Sequence, residues 1–224
     1  MSSGKLTADA DLEMLQRKSF SYFLHETNLD NGLVIDKNAP DWPASIAATG
    51  LALATYPVAV ERGFMPRAAA VERTLATLRF FWNSRQGPEP DATGHKGFYY
   101  HFLDMRTGRR VWRCELSTVD SAFLLAGALA AGVYFDADSA EELEIRSLAD
   151  ALYRRADWQW AQNLGATVTH GWRPIKRVYQ IPLGRLRRGD AAVCPGARLA
   201  DPSVAGEQLH RVDIDLPVGT LLRL

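Results

Sequence analysis

Residues 96–125 read KGFYYHFLDMRTGRRVWRCELSTVDSAFLL, and the fold of the chain is read outward from here. Aromatics crowd the first part. Thr107-Gly108 supplies a turn, so FYYHFLD and RRVWRCEL, on either side of Met105–Arg109, predict a small β-hairpin. The last part is almost entirely apolar and predicts a helix from about Ser117 to Tyr134, buried on most sides. Two acids, Glu115 and Asp120, flank the start of that helix. Flat rings beside paired carboxyl groups are what a cleft for a sugar chain requires. The rings cover pyranose faces and the carboxyl groups act on the glycosidic bond.

Upstream, Leu12, Leu15, Phe20, Phe23 and Leu24 recur at helical spacing and predict an amphipathic helix from about Asp9 to Thr27. The turn-rich NLDNGLVIDKNAPDWP ends it. A second helix, about Ala44 to Arg62, is apolar nearly all round. Gly63 closes it, and Pro66 suits the start of a third, amphipathic helix from Arg67 to Trp82. A further amphipathic helix follows from about Ser139 to Asn163, where Ser139 and Glu142 have capping-box spacing. Apolar helices alternating with amphipathic ones predict inner and outer rings, because an inner helix touches neighbours on nearly every side. The expected class is all-α: part of an α/α barrel, about half of it, with one small hairpin.

The bulk properties narrow the function. The 224 residues suit one large domain or two small ones, with 47% hydrophobic and 23% charged residues. A net charge of zero offers nothing to nucleic acid. The apolar stretch from Ala122 to Phe135 is too short for membrane insertion. The N-terminus lacks the pattern of a signal peptide, so the chain as written reads as cytoplasmic. Cys114 and Cys194 stand far apart, the five histidines lack metal-ligand spacing, and no Walker, GxSxG or GxGxxG motif occurs. The expectation is therefore no metal and no cofactor.

Two readings of Asp120 remain open at this point. It is the N3 residue of Ser117-Thr118-Val119-Asp120, a capping box in which its carboxylate would bond the backbone. It is also a cleft acid, paired with Glu115, where one group protonates the glycosidic oxygen and another activates water. Tyr99, Tyr100, His101 and Trp112 lie on the predicted hairpin, where alternate residues face opposite ways, so some stack sugar and others pack inward. His170 and Trp172, in the strand-like TVTHGW, are candidates for the cleft edge.

Six blocks carry a resemblance: LQRKSFSYFLHETNLDNGLVIDK, ASIAATGLALATYPVAVERG, TLATLRFFWN, GPEPDATGHKGFYYHFLDMRTG, CELSTVDSAFLLAG and WAQNLGATVTHGWRP. In order and without a gap from about Leu12 to Pro174, they resemble the glycoamylase-like family, which includes bacterial endo-β-1,2-glucanases and a domain of cyclic β-1,2-glucan synthases. The resemblance implies an (α/α)6 toroid of the six-hairpin glycosidase type that acts on an oligo- or polysaccharide, a β-glucan, by inverting hydrolysis without a metal. It implies that Asp120 and Glu115 belong to the acidic site. Tyr100, His101, Trp112, His170 and Trp172 are then the candidate substrate-binding residues. Alternatives are a noncatalytic glycan-binding fragment and a glucan transglycosylase domain. Members of the family often work in the periplasm or outside the cell.

Residues 1–174 are thus expected to be an incomplete barrel domain, and 175–224 to be something else. The family continues with a pattern like SGF-x-x-YRWEGYDEAMLLYVLGLGSPTHPLP, which is absent after Ile175. Synonymous codons for this tail, read one base later, restore much of that pattern. Lys176-Arg177-Val178 can give SGF, and Arg185 to Asp190 can give GYDEAM. The expectation is a frameshift near Ile175. It puts Arg187 and Arg188 where the family has the Asp-Glu of GYDEA, and a guanidinium cannot donate the proton that bond cleavage needs.

Overall fold

Two helices opened by serines set the frame of this computed structural model, which describes residues 3–174 and 179–181. α1 (Ser3–His25) leads to β1 (Ala44–Ser45), and α2 (Ile46–Glu61) follows at once; α3 (Arg67–Asn83) returns beside it. Four short strands come next: β2 (Gly94–His95), β3 (Phe98–Tyr100), β4 (Phe102–Leu103) and β5 (Leu116–Ser117). β5 runs straight into α4 (Thr118–Tyr134). Then come α5 (Ala140–Arg155), α6 (Trp158–Ala161), β6 (Gly171–Arg173) and β7 (Tyr179–Ile181).

α2 and α4 start alike. The Ser45 hydroxyl accepts from Ala48 N–H at 3.4 Å and the Ser117 hydroxyl from Asp120 N–H at 3.1 Å. One turn later Thr49 and Ser121 donate to the carbonyls of Ser45 and Ser117, at 2.9 and 2.5 Å. The two helices then meet backbone to backbone. A Cβ on Gly127 would lie 2.0 Å from the Gly50 carbonyl oxygen, and one on Gly50 would lie 2.4 Å from that of Phe123. Each is packed by an outer partner, α3 on α2 and α5 on α4, while α3 and α5 touch each other and α1 touches α2. The inner and outer layers predicted from the apolar and amphipathic runs are present. Between them lie Leu53, Tyr56, Leu78, Phe81 and Phe135, all fully buried, each side chain worth about 1.5–3 kcal/mol of burial.

The predicted hairpin forms, with a break in its return strand. Asp104 N–H donates to Arg109 O at 2.8 Å, and Leu103 bridges to Arg110. After Val111, whose N–H donates to Phe102 O at 3.2 Å, the return strand breaks where Trp112 and Arg113 both take left-handed backbone angles, φ 54° and 53°, and pairing resumes where His101 N–H donates to Glu115 O at 3.0 Å and Leu116 lies opposite Tyr100. The strands also take outer partners: β4 pairs with β1, and the β3–β5 pair lies within a five-stranded sheet in the order β2-β3-β5-β6-β7. The predicted helix from Ser139 to Asn163 is also divided. α5 stops at Arg155 because Asp157 N–H goes to Lys96 O, and the Asp157 carboxylate caps Trp160 N–H of α6 at 2.9 Å. The expected tail, 175–224, lies outside the described residues except for β7, which pairs with β6. Among the described residues no helix is long and apolar enough to cross a membrane.

Candidate active site

Three strands in register bring together residues far apart in the chain. Tyr100 faces Leu116, and Leu116 faces Trp172. The next position along each strand puts His101, Glu115 and Arg173 in one cross-strand row on the opposite face of the pleat. His101 N–H donates to Glu115 O at 3.0 Å, and the ring Nδ1 meets Glu115 Oε1, also at 3.0 Å. The Arg173 guanidinium lies 3.7 Å from Glu115 Oε2. From the first turn of α4, Asp120 Oδ2 reaches within 3.5 Å of the same His101 nitrogen. An imidazole thus sits between two carboxylates, one of them shared with an arginine.

Burial alone would raise the pKa of Glu115. A hydrogen bond from His101, another from its own backbone N–H, and the charges of His101 and Arg173 outweigh it and leave the carboxyl at about 2. Burial alone would lower that of His101, but the bond to Glu115 and the negative charges of Asp120, Glu115 and Asp36 outweigh it, so His101 titrates above its ordinary 6.5. The two shifts are one interaction seen from its two ends. Stabilisation from Glu115 is present above its ordinary 4.5 and disappears as pH falls through about 2. That from His101 is complete below 6.5 and is lost as pH rises through its elevated value. Glu115→Gln should therefore bring the His101 titration, followed by its ring proton shifts in NMR, down by about one unit or more, and should flatten the acid limb of stability. A titration of His101 that ignores the substitution would contradict this arrangement.

The two readings of Asp120 can now be separated. Its backbone N–H serves the cap, while its carboxylate is turned to His101. The matching position in α2 is Ala48, whose N–H is capped by Ser45 in the same way with no carboxylate present. The cap needs the serine and not the acid. Asp120→Ala is accordingly expected to cost under about 1 kcal/mol of stability, the helix-dipole contribution of a first-turn acid. Urea denaturation measures it, and a loss several times larger would restore the structural reading.

The predicted aromatic positions divide. Tyr100 is fully buried, with the Arg110 guanidinium 4.4 Å from its ring centre. Trp172 is buried too, stacked on His95 at 4.7 Å and against Trp160. Neither offers a free face to sugar, because strand alternation turns both away from the His101 row. His170 works through its backbone: its carbonyl accepts from Thr118 N–H at 3.1 Å and from the Thr118 hydroxyl at 2.8 Å, which ties β6 to the start of α4. Trp112 does lie beside the cluster, edge-on to Phe102 and Trp42, and Phe102 stacks under His101. Trp42, Asp36 and Arg173 were not singled out by the sequence. Trp42 and Asp36 fall in the segment read as turns, and only the WRP of the last block hinted at Arg173.

A depression of about 610 Å³ lies elsewhere, between α3 and the loops that carry Asp91 and Arg109; no member of the His101 cluster lines it. Its arginines are paired with carboxylates, Arg79 with Glu144 and Arg85 with Glu89 and Asp91. It offers no comparable chemistry. Among the described residues no group of histidines, cysteines and acids is arranged to hold a metal ion.

Serine-capped inner helices, amphipathic outer helices and short strands that feed the inner layer make this part of an α/α toroid. No family model matches the chain. The chain is similar to the exo beta-1,2-glucooligosaccharide sophorohydrolase (non-reducing end) of Parabacteroides distasonis, 28% identical over 162 residues, which make up 69% of this chain and 21% of the relative. Among solved structures, a Bacteroides uniformis protein provisionally called a glucoamylase matches with TM-score 0.65 and 28% identity, over 74% of this chain and 40% of that one. A β-1,2-glucanase from Parabacteroides distasonis matches with TM-score 0.64 and 25% identity, over 74% and 24%. These similarities support the glycoamylase-like family over part of its members' length. The chain spans about a fifth of the curated relative and between a quarter and two fifths of the solved structures.

Proposed function

We propose that this chain derives from a glycoside hydrolase that cleaves β-glucan, β-1,2-glucan first, by inversion, and that as given it lacks a complete active site. The observation that carries this reading is the row of His101, Glu115 and Asp120 at the mouth of α4, in a chain similar to β-1,2-glucan-acting proteins. Glu115, at about 2, is an anion at any pH near neutrality, so it holds His101 and cannot donate the proton to a leaving oxygen. Asp120 is the acid of the pair suited to meet substrate or water. The proton donor is assigned to the continuation that a shifted frame after Pro174 replaces with Arg187 and Arg188.

The test is direct. Linear β-1,2-glucan is incubated with the present chain and with a version whose gene is returned to frame at the codons of residues 174–176. Short oligosaccharides of inverted anomeric form should appear only with the second. Cleavage by the present chain would overturn its incompleteness, and an intact in-frame gene would remove the frameshift. A restored protein inactive on every β-glucan would end the hydrolase reading.

A further inference from the structure

The inner helices keep one apolar face that nothing among the described residues covers. α4 carries no charged side chain after Asp120. Val119, Ala122, Phe123, Ala126, Ala130 and Val133 are all exposed, and their spacing of three and four residues sets them on one side of the helix. Val133 is 82% exposed and Phe123 50%. α2, which meets α4 at Gly50 and Gly127, adds the exposed Leu51 and Val58. A helix with one side in water ordinarily shows polar residues there. A large-residue apolar face running from the first turn to the last marks a surface made to be covered.

A second bare surface lies on α1. Every residue from Asp9 to Ser19 is exposed, and the helix reaches the core only from Phe20 onward. Leu12 and Leu15 share the side of the helix that carries Phe20 and Phe23, yet they are 58% and 60% exposed where those two are packed. A helical stretch of this length is marginal in water without a packed face.

The two surfaces do not meet within one chain, since both are bare. Between two chains related by a two-fold axis, the α1 face of each meets the α4 face of the other. That arrangement closes after two copies instead of growing into a filament. The size agrees: the chain corresponds to 40% of a solved relative of the same fold, so two copies supply most of a ring. A net charge of zero leaves no overall repulsion between them.

We propose that this chain pairs with a second copy of itself, the Leu12–Leu15 side of α1 in each against the Phe123–Val133 side of α4 in the other. The pairing does not rest on the β-glucan reading. Sedimentation equilibrium and light scattering of the full chain should give about twice its 24.8 kDa. Phe123→Glu and Val133→Glu, and separately Leu12→Glu and Leu15→Glu, should each weaken pairing about a hundredfold or more, because each puts a carboxylate into an apolar contact. All four side chains are exposed within the single chain, so helical circular dichroism and cooperative urea unfolding should survive. Leu164→Glu, at a fully exposed turn position, should leave the mass unchanged. Mixing Val133→Glu chains with Leu15→Glu chains should recover part of the pairing, through the one contact that neither substitution touches.

A single-chain mass at every concentration overturns the proposal. So does a pair that survives the α1 substitutions, which would be joined through α4 alone. Assemblies that keep growing beyond two chains as concentration rises refute the closed arrangement.

Discussion

Gly127→Val is expected to cost about 3 kcal/mol or more, a large share of the 5–15 kcal/mol that typically holds a domain together. The reason is the contact between α2 and α4. The new Cβ would lie 2.0 Å from the Gly50 carbonyl oxygen and 2.8 Å from its carbon, both backbone atoms of a buried helix. A flexible side chain could swing away from such an approach; a helix must shift as a whole. Gly132→Ala in the same helix is the control. There the nearest atom is the Ala149 methyl at 3.1 Å, and the gain in helix propensity offsets the crowding to within about 1 kcal/mol. Urea midpoints of the two variants test the contact, and similar values for both would refute it. Because α4 carries Asp120 in its first turn, displacement of the inner pair should also disturb the His101 row, visible as a shift of the His101 titration.

Glu142→Ala should cost about 2 kcal/mol. Its carboxylate accepts from Arg67 Nε at 2.8 Å and from the Arg67 terminal nitrogen at 2.7 Å, and also from Ala137 N–H at 2.9 Å. Arg67 in turn donates to Tyr134 O, so a single buried acid joins the starts of α3 and α5 to the end of α4. Removing it takes the acceptor from Ala137 N–H and leaves the Arg67 guanidinium, against Tyr134 and Phe135, with Asp136 at 3.5 Å as its remaining carboxylate. Arg79–Glu144 has similar distances, 2.7 and 2.6 Å, but both side chains are substantially exposed. Glu144→Ala should therefore cost no more than about 1 kcal/mol. Equal losses at the two sites would show that burial is not what separates them.

Ser139 and Glu142 illustrate what local sequence can and cannot say. The spacing of a capping box is real, and Ser139 does accept from Glu142 N–H at 3.2 Å. The other half of the box is diverted, since Glu142 spends its carboxylate on Arg67, 75 residues away. Ser117 and Asp120 repeat the pattern, with the acid diverted to His101. In both cases a serine acts on a neighbour three residues on, within reach of any chain that starts a helix. The acid answers to a charge that only folding delivers.

The same division runs through the aromatics. Hydrophobic period identified the helices and even which of them are inner. Period two on the hairpin could not tell which face of the strands points to the acids, and so Tyr100 and Trp172 looked as available as Trp112. Trp42 and Asp36 sit in a segment without periodicity, where composition marks only a turn.

The presence of the long helices, the caps at Ser117 and Ser139 and the inner or outer place of each helix were determined by the order of residues alone, because these depend on interactions within a few positions along the chain; the end of α5 at Arg155 was not, since Asp157 N–H turns to Lys96 O. The register that sets His101, Glu115 and Arg173 in one row, and the approach that sets Trp42 against Trp112, were decided by tertiary structure. Both depend on strand pairing and helix contact between segments some 15 to 70 residues apart, where no local pattern carries the spacing and only the packed backbone defines it.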